Sequence, residues 1–169
     1  CTLQEQAVAG TTVLTLPTVS GTVLTDTSPK AGNVIQVVSA NYSTSTSTTS
    51  GSFTDTGLTA SITPTSSSSK ILAIACISAV YKNSSNSSVG LNIVRGATEI
   101  VKFADNGLSY TNSTGASQTS ATMNYLDSPA TTSSTTYKVQ FKNGANTGTS
   151  VVINDSNVTS TLTLMEIAA

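Results

Sequence analysis

Proton transfer and metal chemistry need side chains that titrate or ligate near neutrality, and this chain of 169 residues is poor in them. It has no histidine and no tryptophan, and its carboxylates are Glu5, Asp26, Asp55, Glu99, Asp105, Asp127, Asp155 and Glu166. No two stand close enough in sequence to form a local ligand cluster, so zinc and histidine-based catalysis are excluded and no metal or other cofactor is expected. A glycosidase needs only two converging carboxylates, and Asp55 with Asp105 or Asp127 is the pair that distant segments could supply; turn capping explains the same residues. The serines have neither a histidine to activate them nor a Gly-x-Ser-x-Gly elbow to present them. No catalytic residue is assigned. What remains is hydrogen bonding: Tyr110, Asn112, Asn83, Asn86, Asn143 and Asn146 sit in polar connections as exposed phenols and amides able to contact a glycan, although all are also ordinary turn formers.

The scaffold that must position these groups is set by composition. Serine and threonine make up roughly a third of the chain, and charged residues only 9% against the ~25% usual for a globular domain. A hydrophobic fraction of 37% with a net charge of −1 is the opposite of the disordered signature, so the chain should fold, as one domain. Threonine, valine and isoleucine favour strands because branching at Cβ packs well on a pleated surface. Seven Lys and Arg, spread singly, form no patch for nucleic acid or an anionic membrane, and no apolar run approaches the ~20 residues of a spanning helix, so neither nucleic-acid binding nor membrane insertion is expected. A chain opening at Cys1 is expected to continue a longer polypeptide.

Lys70-Ile-Leu-Ala-Ile-Ala-Cys-Ile-Ser-Ala-Val80 is the one long apolar run. Both alternating sets are apolar, Ile71, Ala73, Ala75, Ile77 and Ala79 against Leu72, Ile74, Cys76 and Val80, which predicts a strand buried on both faces. A buried helix has the same apolarity; the period-two alternation of the other segments decides for a strand. Cys76 reads as a small buried hydrophobe. Around this run, strands are expected at 33–42, 58–63, 89–94, 100–104, 119–126, 136–142, 151–153 and 158–167, with 89–94 and 100–104 forming a hairpin and 43–50 a Ser/Thr loop. The expectation is an all-β sandwich or barrel of about eight antiparallel strands over residues 31–169, preceded over residues 1–30 by two short alternating pieces and a turn or linker. A strand apolar on both sides needs a second surface to cover it, and Ile71, Leu72, Ile74, Cys76, Ile77 and Val80 are the candidate core and interface residues.

Thr12-Val-Leu-Thr-Leu-Pro-Thr-Val-Ser-Gly-Thr-Val-Leu-Thr25 resembles the end of a fibre shaft, and Lys30-Ala-Gly-Asn-Val-Ile-Gln-Val-Val-Ser39 the entry into a terminal β domain. With Val89-Gly-Leu-Asn-Ile-Val-Arg-Gly96, Asn124-Tyr-Leu-Asp-Ser-Pro129 and Leu162-Thr-Leu-Met-Glu-Ile167, these phrases make the chain similar to the C-terminal part of tail fibre and other virion fibre proteins of tailed bacteriophages. The resemblance implies a homotrimer in which residues 1–30 are a short extended shaft or connector segment and residues 31–169 a jelly-roll-like β-sandwich tip, located on the virion, joined to other virion proteins through its N-terminal segment and adhering to a host surface glycan or protein. Capsid decoration or a head fibre is the alternative role. A glycan-degrading spike fits less well, because such members carry acidic clefts with aromatics in a density that this sequence lacks.

Overall fold

In the computed structural model, which describes residues 30–82, 84–112, 115–145 and 147–169, the alternating segments are strands. They are β1 (Val34–Tyr42), β2 (Thr46–Thr48), β3 (Thr54–Ile62), β4 (Lys70–Lys82), β5 (Val89–Arg95), β6 (Thr98–Leu108), β7 (Ser117–Asp127), β8 (Thr135–Asn143), β9 (Val151–Ile153) and β10 (Ser160–Ile167). The expected shaft lies outside the described residues apart from Lys30. The 43–50 stretch, expected as a loop, contains β2, whose pairing with β9 gives its backbone groups partners. Among the described residues, no helix is long and apolar enough to cross a membrane.

Every strand pairing is antiparallel. One sheet runs β1-β10-β4-β7, with β9 taking over the edge of β4 where β10 leaves it and β2 following β9; the other runs β3-β8-β5-β6. Without the two short strands the pairs are nested: β5 with β6, β4 with β7, β3 with β8, β1 with β10. That is a jelly roll, a long hairpin rolled into two facing sheets. Leu58, Ile62, Ile71, Ile77, Leu91, Ile93, Tyr137, Phe141, Leu162 and Leu164 fill the space between the sheets.

β4 departs from the expected two-sided burial. Ile71, Ala73, Ala75 and Ile77 are buried in the core, whereas Leu72, Ile74 and Cys76 are only half-buried on the outward face. Cys76 is therefore not a core thiol; the Thr122 hydroxyl lies 3.7 Å from its Sγ. Between Ile77, opposite Ala121, and Val80, opposite Thr119, the strand bulges: Ser78 and Ala79 stand against Ser120 alone. A one-residue insertion exchanges the faces of everything beyond it. Val80, expected with Leu72 and Ile74, is thereby moved to the core side with Lys82 behind it, both fully buried.

The two outer surfaces differ in kind. On the β3-β8-β5-β6 sheet, Asp55 pairs with Lys138 at 2.8 Å and Asp105 with Lys142 at 2.7 Å, while Lys102 lies near Asp105 and Glu99. On the other sheet Lys70 stands outward at the base opposite Ile167, and beyond it three cross-strand rows carry no charge: Val37, Met165, Leu72 and Leu126, then Ser39, Thr163, Ile74 and Asn124, then Asn41, Thr161, Cys76 and Thr122. The first row is apolar across all four strands, and Val37 is 55% and Leu126 47% exposed.

The sandwich also has two distinct ends. At the base, Gly32 donates to the Ala168 carbonyl at 2.8 Å and Ala168 to that of Asn33 at 2.9 Å, beside the β3–β4, β5–β6 and β7–β8 connections. Two inward carboxylates fasten it. Asp127 of β7 accepts from Arg95 at 2.7 and 2.9 Å and from the Tyr137 hydroxyl at 2.7 Å, joining the two sheets. Glu166 of β10 accepts from Gln36 Nε2 at 2.6 Å and from the Thr65 amide and hydroxyl at 2.8 and 2.7 Å. Burial by itself would raise the Glu166 pKa, but the bonds from Gln36 and Thr65 outweigh it and hold the group below its ordinary 4.5. A depressed carboxylate contributes stability that is present above the unfolded value and lost as pH falls through the folded one. Glu166→Gln, which sets an amide against donors, is expected to cost about 2 kcal/mol at neutral pH and to flatten the acid limb of a melting-temperature profile below pH 4.5. An unchanged acid limb in the variant would remove Glu166 from the acid sensitivity of the fold.

Candidate functional site

The opposite end carries the connections after β4, β6 and β8, where the six candidate contact residues were expected. Register brings them together: Lys82 lies opposite both Ser117 and Val151, and Val89 opposite both Leu108 and Asn143. Asn83 and Asn146 lie outside the described residues. Asn86, Tyr110 and Asn112 are exposed, Tyr110 at 52%. The Tyr110 hydroxyl donates to Asn86 Oδ1 at 3.2 Å, and the Asn86 amide to the Thr111 carbonyl at 3.0 Å, so the loops from β4 and β6 form one surface. Asn86 and Ser109 hold φ of 55° and 58°, the left-handed region that costs a non-glycine residue about 1 kcal/mol.

Asn143 differs from the sequence expectation of an exposed contact. It is fully buried; its Nδ2 donates to Thr149 O at 2.8 Å and Thr147 Oγ1 at 3.1 Å, and its Oδ1 accepts from the Ala145 amide at 3.2 Å. Both ends of its amide are spent on shaping the β8–β9 loop, so Asn143 is a scaffold residue. Next to it, a Cβ on Gly144 would lie 2.7 Å from the Asp105 carbonyl and 2.8 Å from Asn106 Cα. Only glycine allows this approach of the β8–β9 loop to β6.

Sequence reasoning missed Lys82. Its ammonium, buried behind Val80, donates to the Ser84 carbonyl at 2.9 Å and to the Thr111 carbonyl at 3.3 Å, and also meets the Thr111 hydroxyl. One cation thus pins the roots of two loops, meeting the cost of burying a charge with oxygen acceptors. A lysine directly after the apolar run from Ile71 to Tyr81 looks like a strand terminator; only the bulge turns it inward.

A second feature of this end is the bulge itself. Ala79 has φ 47°, and Asn154, Ser156 and Asn157 of the adjoining turn have 54°, 61° and 58°. The Asn154 amide donates to the Ser78 carbonyl at 3.0 Å and the Ser78 amide to Ser160 Oγ at 2.9 Å, while Asn154 Nδ2 reaches the Tyr42 carbonyl at 3.2 Å. The bulged backbone is therefore satisfied by this turn and held in place.

Chemically the end offers amides, hydroxyls and one phenol. Among the described residues, no group of three or more carboxylates and cysteines is placed to hold a metal ion. Asp55, held low by Lys138 and then Gln140, and Asp105, held low by Lys142 and Lys102, belong to strand-face ion pairs; Asp127 lies at the base. The pairing entertained for a glycosidase is not assembled.

Searches against family models and curated protein sequences return no match. Among solved structures, the chain is similar to the VP2 subviral particle of infectious bursal disease virus, with 15% identity and a TM-score of 0.36. That match covers 79% of this chain and 37% of the VP2 chain. At this level of likeness the fold rests on the strand order itself, and the chain is an all-β jelly-roll sandwich.

Proposed function

We propose that this domain is a non-enzymatic tip of a tailed-phage virion fibre that attaches to a host-surface glycan or protein and works as a homotrimer. The observation that carries the reading is the polarity of the sandwich. Residues 30–33 enter at the base, beside two buried carboxylate clusters, while Asn86, Tyr110 and Asn112 stand exposed on a braced surface at the opposite end. Such a layout suits a domain carried on a stalk and presented outward. The three uncharged rows, one of them apolar, support self-association, because a symmetric copy could set neutral surface against neutral surface with Lys70 left at the base edge.

Fluorescently labelled protein incubated with host cells and with purified capsids tests this reading. Cell binding that falls when Tyr110 and Asn112 are replaced by alanine supports it. Attachment to capsids without cell binding would replace it with a decoration role, and shortening of a purified host polysaccharide would show an enzyme instead.

A further inference from the structure

We infer that the cleft opened by the β4 bulge is a binding subsite for a neutral saccharide. The cleft is a shallow one, open to solvent, with about 390 Å³ against Ser78, Ala79, Gln118, Thr119, Ser120 and Val158, room for part of a small molecule. Its lining selects the ligand class by elimination. Among the described residues no cationic side chain lines it and the nearest carboxylate, Asp155, is engaged by Gln118, so an anionic ligand would be desolvated without a partner. A purely apolar ligand would cover three hydroxyls and an amide without replacing their bonds to water. A polyhydroxyl ligand with apolar C–H faces satisfies both conditions.

The available groups are complementary to sugar hydroxyls. Ser78 Oγ donates its proton to the Thr159 carbonyl at 2.8 Å, so toward the cleft it offers lone pairs. Gln118 Nε2 points at Asp155 Oδ2 at 3.4 Å, which leaves Oε1 as an acceptor. The Ser120 hydroxyl has no partner among the described residues and can donate or accept. Val158, 40% exposed, and Ala79 supply the apolar wall.

The site is also built in advance. Without Ser78 and Ala79 inserted opposite Ser120, β4 and β7 would pair without interruption and no cleft would exist. Asn154 and Ser160 hold the bulge in place, so binding need not order it. With no aromatic platform each cleft binds weakly, and several copies on one particle would supply the avidity. In its biological meaning the inference rests on the host-binding reading above, although the cleft can be tested alone.

The test is an NMR titration of the intact chain with oligosaccharides of glucose, galactose, mannose and N-acetylglucosamine, with sialylated and uronic-acid oligosaccharides as charged controls. At least one neutral saccharide is expected to shift the amides of Ser78, Thr119 and Ser120. Gln118→Ala should weaken that saccharide about tenfold, as loss of one or two neutral hydrogen bonds would, and Ser120→Leu should abolish it, both with unchanged melting curves. Shifts only with charged oligosaccharides, no shifts at all, or binding indifferent to both substitutions would overturn the inference. Absence of the titration shifts in the unsubstituted chain is what overturns the cleft, whereas a lack of host-cell adhesion by a chain whose cleft still binds saccharide overturns the fibre reading and leaves the cleft standing.

Discussion

Asp127→Ala is expected to destabilise the domain by about 3 to 5 kcal/mol, the cost of removing one member of a buried charged network and leaving the others unsatisfied. Asp127 is 6% exposed and joins three elements: Arg95 at the end of β5, the Tyr137 hydroxyl on β8 and its own strand β7. Because β7 belongs to one sheet and β5 and β8 to the other, the substitution unfastens the base of the sandwich. Arg95→Ala should cost less, since the Arg95 side chain is 29% exposed and water replaces part of what is lost. Urea unfolding of Asp127→Ala, Arg95→Ala and Tyr137→Phe and of the Asp127→Ala/Tyr137→Phe pair measures the coupling, and additive losses would show that the network does not act as a unit. A pH signature accompanies it. Burial, and then the bond to Asp127, raise the Tyr137 phenol above its ordinary 10.0. A raised group contributes stability that is fully present below the unfolded value and lost as pH climbs toward the folded one, so wild-type stability should fall above pH 10 and the Tyr137→Phe variant should lack that component.

Aspartate at Ile77 and aspartate at Ile74 should fail in different ways. Ile77 is fully buried between the sheets, so Ile77→Asp places an unpaired charge in the core and is expected to cost about 4 kcal/mol or more, enough to unfold a marginal domain. Ile74, three residues away, faces outward beside Thr163 and Asn124 in the charge-free rows. Ile74→Asp should leave the monomer folded and break self-association. Circular dichroism melts and light scattering at matched concentration distinguish the two: a folded monomer from Ile74→Asp supports the interface. A wild type that is monomeric, or equal collapse of both variants, would reduce this face to ordinary surface.

The architecture was legible because period-two alternation survives in a Ser/Thr-rich chain: Tyr137, Val139 and Phe141, or Leu58, Ala60 and Ile62, declare an inward face without help. The nested pairing was legible only as a class, since turn signals fix hairpins but not which distant strand meets β1. The phase of β4 was misread beyond Ile77, because a bulge leaves no trace in hydrophobicity when Ser78 and Ala79 fit either face, and Val80 and Lys82 were misplaced together. The candidate site was legible as three loops but not residue by residue. Asn143 and Asn86 are alike in sequence, yet one is a buried brace and the other exposed, a difference set by loops more than fifty residues apart.

The nested order of strands also dictates a schedule for synthesis. β5 and β6 adjoin in sequence and can pair as soon as they emerge, and β7 can then close on β4. β1 has to wait for β10, since Val34 meets Ile167. Until β10 leaves the ribosome, the edge of β4 from Lys70 to Cys76 is open and the most apolar strand in the molecule presents unpaired backbone to any neighbouring nascent chain. β10, the last strand of the sandwich in chain order, is thus the one that ends the interval of aggregation risk, and its closing speed sets how much of the protein escapes it.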